Sequence, residues 1–447
     1  MSPCFTVRGE VAMVGPWRSL ACVLFLRGAA GLVDDLACGG GTCDDILKLP
    51  PSYEADLYLA KADAEPQDLL RALAKSNLTE VKYLRTFAPP PNSKGEALGA
   101  KFRNFRRGAI EMRWDDRSAA GMYSGEIPGL GRTSTLSYVG HTFFFLDKAS
   151  RTEVARFTME SGVNFYIIEP TAGEAETLAS PLYVAALAEA AFMADYSKRT
   201  GTPWLSAYGR GRPVLNMWPA DNVGQTHVVS TKHSHHVDAA TQLPGDLALQ
   251  LTVLSHAPQG PRAFVVKNLL SDFECDHIIE LGKSVVKPSL VGQLGGFKSK
   301  TRSSENGWLS RSASPVLENM YLRFADVLGL DEKQLNAKAN AEELQVVRYR
   351  GAQEYAPHHD FGDDGLPEQR FLTLLLYIQL PAAGGATSFP KAAGGRGISV
   401  VPARGDAILF YNMLPDGNGD DLALHAGMPV LDGEKWVCNL WIWDPVR

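Results

Sequence analysis

The sequence predicts an α+β protein: a small β-sandwich, then a larger domain in which helices pack on a β-sandwich or jelly roll. Two observations carry this. Residues 102–170 contain short β-type runs, "GAIEMRWDD", "TSTLSYVGHTFFFLD", "TEVARFTM" and "VNFYIIEP", separated by Gly, Asp and Ser. That spacing argues a small antiparallel sandwich. From about residue 247, two helical segments precede a series of strand-like runs, the order expected of helices packed on a sheet domain. With 447 residues, 45% hydrophobic and 21% charged, the chain has room for two to four globular domains. The net charge of −6 and the lack of a long basic block argue against nucleic acid as a partner.

Taken in order, residues 1–45 read as a leader and a Gly-rich link. Arg18 precedes an apolar run from Leu20 to Leu26, and small residues follow, as in a short secretory leader. Arg27 interrupts the run, which is too short to span a bilayer, so no stable membrane span is expected. A secretory or endoplasmic-reticulum route is slightly favoured over the cytoplasm. Cys38 and Cys43 are close enough to pair, and Asn77 opens an "NLT" glycosylation sequon. Six cysteines in so long a chain do not make a disulfide scaffold. Residues 46–100 are a helical and Pro-rich linker region, with helical periodicity over 52–85 and a break at "APPPNSKG". The sandwich occupies 101–170. A connector over 171–245 begins with a helix: Ser180 caps it, Pro181 suits its first turn, and it runs to about Arg199 before Gly201. The final domain, 246–447, opens with "SDFECDHIIELGK", where Ser271 and Glu274 form a capping box, and a second helix near 316–330. Its strands are "LQVVRYR", "FLTLLLYIQL", "ISVVPARGDAILFYN" and "KWVCNLWIW".

The chemistry concentrates at "YAPHHDF", residues 355–361. Alternate residues of a strand face one side, so His358 and Asp360 point together and His359 points away. Two ligands hold a transition metal poorly, and His425, in "LALHAGMPV", is the candidate third. Two histidines and a carboxylate make the facial triad of non-haem Fe(II) oxygenases, with positions left open for a co-substrate and oxygen. Lys435, ten residues after His425, would pair with the remote carboxylate of a dicarboxylate bound at the metal. His227, His233, His235 and His236 cluster in a polar segment. A second metal site there is less expected than a surface linker, since no cysteine or carboxylate with ligand spacing accompanies them.

Over about 260–447, these motifs and the "GGATSFP" turn resemble the catalytic domain of the prolyl 4-hydroxylases, which are 2-oxoglutarate- and Fe(II)-dependent dioxygenases. The resemblance implies a double-stranded β-helix (jelly roll) with packed helices. It implies Fe(II) held by His358, Asp360 and His425, with 2-oxoglutarate and ascorbate as further cofactors. Lys435 would bind the far carboxylate of 2-oxoglutarate, supported by Tyr349 and Thr373. Tyr355 would lie over the proline to be hydroxylated, and Arg370 and Trp441 would line the peptide groove. "TRSSENGWL" resembles the family's peptide-gripping loop through Arg302 and Ser304, and departs from it at Glu305 and Asn306. The expected partner is a proline-containing peptide or protein. A dioxygenase acting on another side chain or a small molecule, and an inactive peptide-binding scaffold, are the competing readings.

Over about 105–170, the run Ser137, Tyr138, Gly140, His141 resembles the β-domain of the von Hippel–Lindau tumour suppressor, which recognises hydroxylated proline. The resemblance implies that Ser137 and His141 bind the hydroxyl group, with Tyr123 as the pocket tyrosine. The family's pocket tryptophan is Phe143 here. A sandwich in which Ser137 and His141 serve structure alone is the competing reading.

Overall fold

The computed structural model describes residues 80–83, 97–207, 215–231, 236–237, 247–289, 304–337, 339–351, 353–362 and 369–443. The leader, Cys38, Cys43, Asn77, His233, His235 and Arg302 lie outside the described residues.

Two antiparallel sheets face each other in the C-terminal half. The major sheet runs Lys287–Pro288, Glu305–Leu309, Leu344–Arg350, Glu434–Trp443, Arg370–Gln379, Ala407–Tyr411, Ala263–Lys267, Ala248–Ser255 and Thr226–Ser230. The minor sheet runs Glu80–Tyr83, Ile398–Val401, Thr387–Phe389, His425–Gly427 and Tyr355–His358. This is the expected double-stranded β-helix. Its central strands are buried on both faces, which explains near-continuous apolar runs such as "FLTLLLYI".

Period-two alternation sorts these strands into two cores. Leu372, Leu374 and Leu376, with Trp436, Cys438 and Leu440, face the helices outside the roll. Leu375, Tyr377 and Val437 face Phe389, Val400 and Phe410 inside it. The odd-numbered positions of 434–443 therefore carry Lys435, Asn439 and Trp441 into the roll's interior.

Helices α1 (Pro181–Thr200), α2 (Asp272–Val285) and α3 (Pro315–Leu328) begin where the capping residues place them. Ser180, Ser271 and Ser314 each accept an N-terminal backbone N–H, and Gly201 and Gly329 end their helices with left-handed backbone. Glu274 of the capping box also takes both ends of the Arg323 guanidinium, at 2.7 and 2.8 Å, in a fully buried pair that joins α2 to α3. Removing either partner would leave a charge buried alone, which typically costs about 3–5 kcal/mol.

The N-terminal β-module has two sheets. One holds Arg132–Tyr138, Ala97–Asn104 and Phe165–Ile168; the other holds Met122–Ile127, Ile110–Trp114, Thr142–Asp147 and Glu153–Thr158. Phe102 packs against Phe143, Phe145 and Tyr166 between them, with ring centroids 5.1–5.6 Å apart.

Three features depart from the sequence reading. The sandwich is not purely antiparallel, because Ala97–Asn104 and Phe165–Ile168 pair in parallel. The end of the expected helix over 52–85 is instead the strand Glu80–Tyr83, paired with Ile398–Val401. An open edge of the minor sheet outweighs a weak local helical pattern. Thr226–Ser230, expected within the connector, is the outermost strand of the major sheet.

The module is bound to the roll through residues 203–206. The Trp204 carbonyl accepts from Lys101 Nζ and Asn164 Nδ2 of the module. On the other side, Asn418 Oδ1 accepts from the Leu205 N–H at 2.6 Å, and Asn418 Nδ2 donates to the Pro203 carbonyl at 3.0 Å. Ser206 Oγ donates to the Gly417 carbonyl at 2.8 Å, and Tyr196 of α1 donates to Asp416 Oδ2 at 2.8 Å.

Candidate active site and metal centre

His358, Asp360 and His425 converge, with one donor atom from each lying within 4.8 Å of the others. His358 and His425 stand opposite each other in register on adjacent strands of the minor sheet. His358 Nε2 lies 3.5 Å from Asp360 Oδ1, and His425 Nε2 lies 3.5 Å from Asp360 Oδ2. Each Nδ1 bonds a backbone carbonyl, Ala356 at 2.9 Å and Ala423 at 3.0 Å. A carbonyl can only accept, so each Nδ1 carries the proton and each Nε2 turns its lone pair inward. Burial pushes His425 down to about 4, leaving it the neutral imidazole that a metal requires. Burial disfavours the charged form of Asp360, yet its carboxyl is held well below the usual range, with the Arg370 guanidinium among the causes. This donor set fits Fe(II).

Asp360 is held by groups from two strands of the major sheet. Thr373 Oγ1 and Trp441 Nε1 both donate to Asp360 Oδ2 at 2.9 Å, and Asn412 Nδ2 donates to Thr373 Oγ1 at 2.9 Å. Thr373, expected to support the co-substrate, donates to the Asp360 carboxylate. Trp441, expected in the peptide groove, holds Asp360 through its indole N–H and lines the cavity.

That cavity encloses about 820 Å³ and is lined by the three converging side chains, Lys435, Tyr349 and Tyr355, among others. Lys435 is 2% exposed, and burial lowers its ammonium to about 7. Its Nζ lies 5.5 Å from the ring centroids of both Tyr349 and Tyr377. Tyr377 donates to Thr387 Oγ1 at 2.5 Å, and Thr387 also lines the cavity. The glycines of "GGATSFP" make this corner possible. Gly384 and Gly385 have φ of +78° and +70°, and a Cβ on Gly384 would meet the Pro429 carbonyl oxygen at 2.3 Å.

At the mouth, Tyr355 stacks on His358 with ring centroids 3.6 Å apart. Arg370 lies 3.8 Å over the Trp441 ring, with Nε 2.6 Å from Glu342 Oε1. Trp308, whose sequence context carries no signal for a site, also lines the cavity, is 41% exposed, and sits 5.9 Å from Trp441. Ser304 does not reach the mouth; it is buried, with Oγ 3.1 Å from Ser289 Oγ.

His359 is not among the three converging side chains; it is buried against Asp421. His227 and His236 bond different backbone carbonyls, Pro219 at 2.7 Å and Asn268 at 2.8 Å. Among the described residues, the histidines of that segment form no metal cluster.

In the β-module, Ser137 Oγ lies 3.2 Å from His141 Nδ1, and the Trp114 and Tyr138 rings stand 5.5 and 5.6 Å from His141. Two expected neighbours are elsewhere. Phe143 is in the module core. Tyr123 is 56% exposed and pairs with Arg113, whose face of the sheet is opposite to that of Met112 and Trp114. The aromatic wall beside His141 is Trp114.

Comparison with known proteins agrees with this geometry. The model of the 2OG-Fe(II) oxygenase superfamily matches residues 344–443. Prolyl 4-hydroxylase 5 of Arabidopsis thaliana is 36% identical over 203 residues, covering 40% of this chain and 68% of its own length. The prolyl 4-hydroxylase subunit alpha-1 of Gallus gallus is 37% identical over 193 residues, covering 41% and 36% respectively. Among solved structures, a viral collagen prolyl hydroxylase from Paramecium Bursaria Chlorella virus-1, in its 2OG complex, is 30% identical, with a TM-score of 0.33 over 41% of this chain and 96% of that one. The chain belongs to the prolyl 4-hydroxylase family of 2-oxoglutarate- and Fe(II)-dependent dioxygenases.

Proposed function

We propose that the chain hydroxylates C4 of proline in a peptide or protein, converting 2-oxoglutarate and O2 to succinate and CO2. The observation that carries this is one cavity holding the His358–Asp360–His425 centre, a buried lysine and an aromatic mouth. His358, Asp360 and His425 would hold the iron. With co-substrate and oxygen bound, it supplies the oxidising power that inserts oxygen into an unactivated C–H bond. The protein's own groups do the rest. Lys435 takes the far carboxylate of 2-oxoglutarate, with Tyr349 and Thr387 beside it. Tyr355 and Trp441 hold the proline ring over the centre, and the buried walls exclude water. Arg370, fixed by Glu342 and Trp441, lines the peptide's path, and Arg302 and Ser304 belong to the loop proposed to grip it. The test is succinate release in Fe(II) and ascorbate, with and without a proline-rich peptide. Stimulation by the peptide, lost in its proline-to-alanine counterpart, is expected; turnover indifferent to peptide would favour a small-molecule substrate.

The Asp360 brace gives a second expected result. Trp441→Phe and Thr373→Val each remove one hydrogen bond to a charged acceptor, an interaction typically contributing about 1.5–3 kcal/mol. Loss of such outer-shell partners weakens metal binding roughly 10- to 100-fold in comparable sites. Titration of the metal-free protein with Co(II) measures this, and unchanged affinity in both variants would remove the brace.

For the β-module we propose that Ser137 and His141, beside Trp114, recognise hydroxyproline, as the von Hippel–Lindau resemblance implies. Holding product there raises the local concentration of neighbouring prolines. Because residues 203–206 bind the module to the roll, the test uses the full chain without 2-oxoglutarate. Hydroxyproline peptides should bind more tightly than matched proline peptides, by the roughly 1–3 kcal/mol of an unpaired polar group. A preference that survives both Ser137→Ala and His141→Ala would leave the module as scaffold.

A further inference from the structure

We propose that His359, Asp421 and Lys391 form a brace that positions the two metal-bearing segments relative to each other. The proposal rests on the reading of His358, Asp360 and His425 as a metal centre. His359 lies between two of those residues, with its side chain 3% exposed and held against Asp421. Its Nε2 lies 3.2 Å from the Asp421 carbonyl oxygen and 3.3 Å from Asp421 Oδ1. Lys391 Nζ approaches the same Oδ1 at 2.5 Å, so the carboxylate takes a histidine from one side and an ammonium from the other. Both acceptors belong to Asp421, so Nε2 carries the proton and donates.

The position of this cluster gives it its role. Asp421 opens the short turn Asp421–Ala423, itself fixed by Asp420, whose Oδ1 accepts the Leu422 N–H at 2.9 Å. The Ala423 carbonyl at the end of the turn orients His425 through Nδ1. His359 sits just past the strand Tyr355–His358, between His358 and Asp360. The brace therefore ties the origin of two donors to the origin of the third. It does so where the ladder is weakest: between Tyr355–His358 and His425–Gly427 only the pairs Tyr355↔Gly427 and His358↔His425 are in register, with an irregularity between them. A carboxylate oxygen must hold its place against two imidazoles to bind metal, and a broken ladder alone does not fix that separation. The same loop is gripped upstream, at Asp416 and Asn418, by Tyr196, Pro203 and Leu205. The residues that dock the β-module thus support the brace from behind.

His359, Asp421 and Lys391 are positioning residues, so the test reads metal affinity directly. Full-length protein is stripped of metal and titrated with Co(II), followed by its visible absorbance, for the wild type and for His359→Ala, His359→Gln, Asp421→Ala and Lys391→Met. Circular dichroism confirms folding; Asp421, whose side chain is 41% exposed, is the variant least exposed to misfolding. His359→Ala should weaken Co(II) binding by about tenfold, and Asp421→Ala should weaken it by a smaller factor, because the backbone carbonyl at 421 still accepts from His359 Nε2. Lys391→Met should weaken it less, because the His359 bond remains. His359→Gln, which keeps a donor, should stay within about threefold of wild type, and the 2-oxoglutarate KM at saturating metal should move less than about twofold, because Lys435 is untouched. Wild-type affinity in folded His359→Ala and Asp421→Ala would overturn the brace, as would His359→Gln binding as weakly as His359→Ala. A wild type that fails to bind Co(II) stoichiometrically would instead overturn the metal centre.

Discussion

Asp360→Ala is expected to abolish metal binding and turnover together. Asp360 is the only anionic member of the converging set, and its removal leaves two neutral imidazoles. Two such ligands do not retain Fe(II) against dilution, because binding depends on a complete set of deprotonated donors in the right geometry. The substitution has a second cost. Thr373 Oγ1 and Trp441 Nε1 lose their shared acceptor, and a buried donor left unsatisfied costs about 1–3 kcal/mol. Asp360→Ala should therefore melt lower than wild type even without metal. It should also lose the stabilisation that metal confers by binding only the folded state. His358→Ala and His425→Ala should lose metal equally but without stranding those donors. Metal content after dialysis and paired melting curves check this; a metal-replete, active Asp360→Ala would remove it from the centre.

Lys435→Ala is expected to raise the 2-oxoglutarate requirement by roughly ten- to a hundredfold, the equivalent of about 1.5–3 kcal/mol for a charge-assisted bond. Metal binding should be little changed. The same residue predicts a pH dependence. Burial holds the free ammonium at about 7, below its ordinary value. Below that pH the lysine is already charged and meets the carboxylate directly. Above it the lysine is neutral, and binding must take up a proton, since the carboxylate favours the charged form. The apparent affinity for 2-oxoglutarate should thus fall as pH rises from 7, until the raised pKa of the complex is passed. In Lys435→Ala this slope should vanish. A slope that persists there would assign it to another group.

The residues legible in the sequence were those whose role depends on spacing along one strand. Lys435 reaches the interior because Trp436 and Cys438 face the helices, whereas Asp360 lies two residues past the end of the strand Tyr355–His358 and still meets His358 at the centre. Single apolar–polar alternation conveys that much. What it could not convey is which side chains meet across strands. Thr373 and Trp441 stand opposite each other in the sheet and meet at Asp360. That register is set by turns and bulges far from either residue. Asp416 and Asn418 take buried partners from α1 and from the segment 203–206, both more than 200 residues away in sequence. A register shift between Met112 and Arg113 likewise sets which face of the module's sheet Tyr123 takes, and local alternation does not convey it.

The most direct test of the proposed activity is mass spectrometry of a proline-rich peptide after incubation with the full-length protein, Fe(II), ascorbate, 2-oxoglutarate and 18O2. The expected product carries one labelled oxygen, which fragmentation places on proline and chromatography against standards assigns to C4. It should form together with succinate and be absent with Asp360→Ala. Succinate released while the peptide stays unmodified, or label on a residue other than proline, would contradict the account.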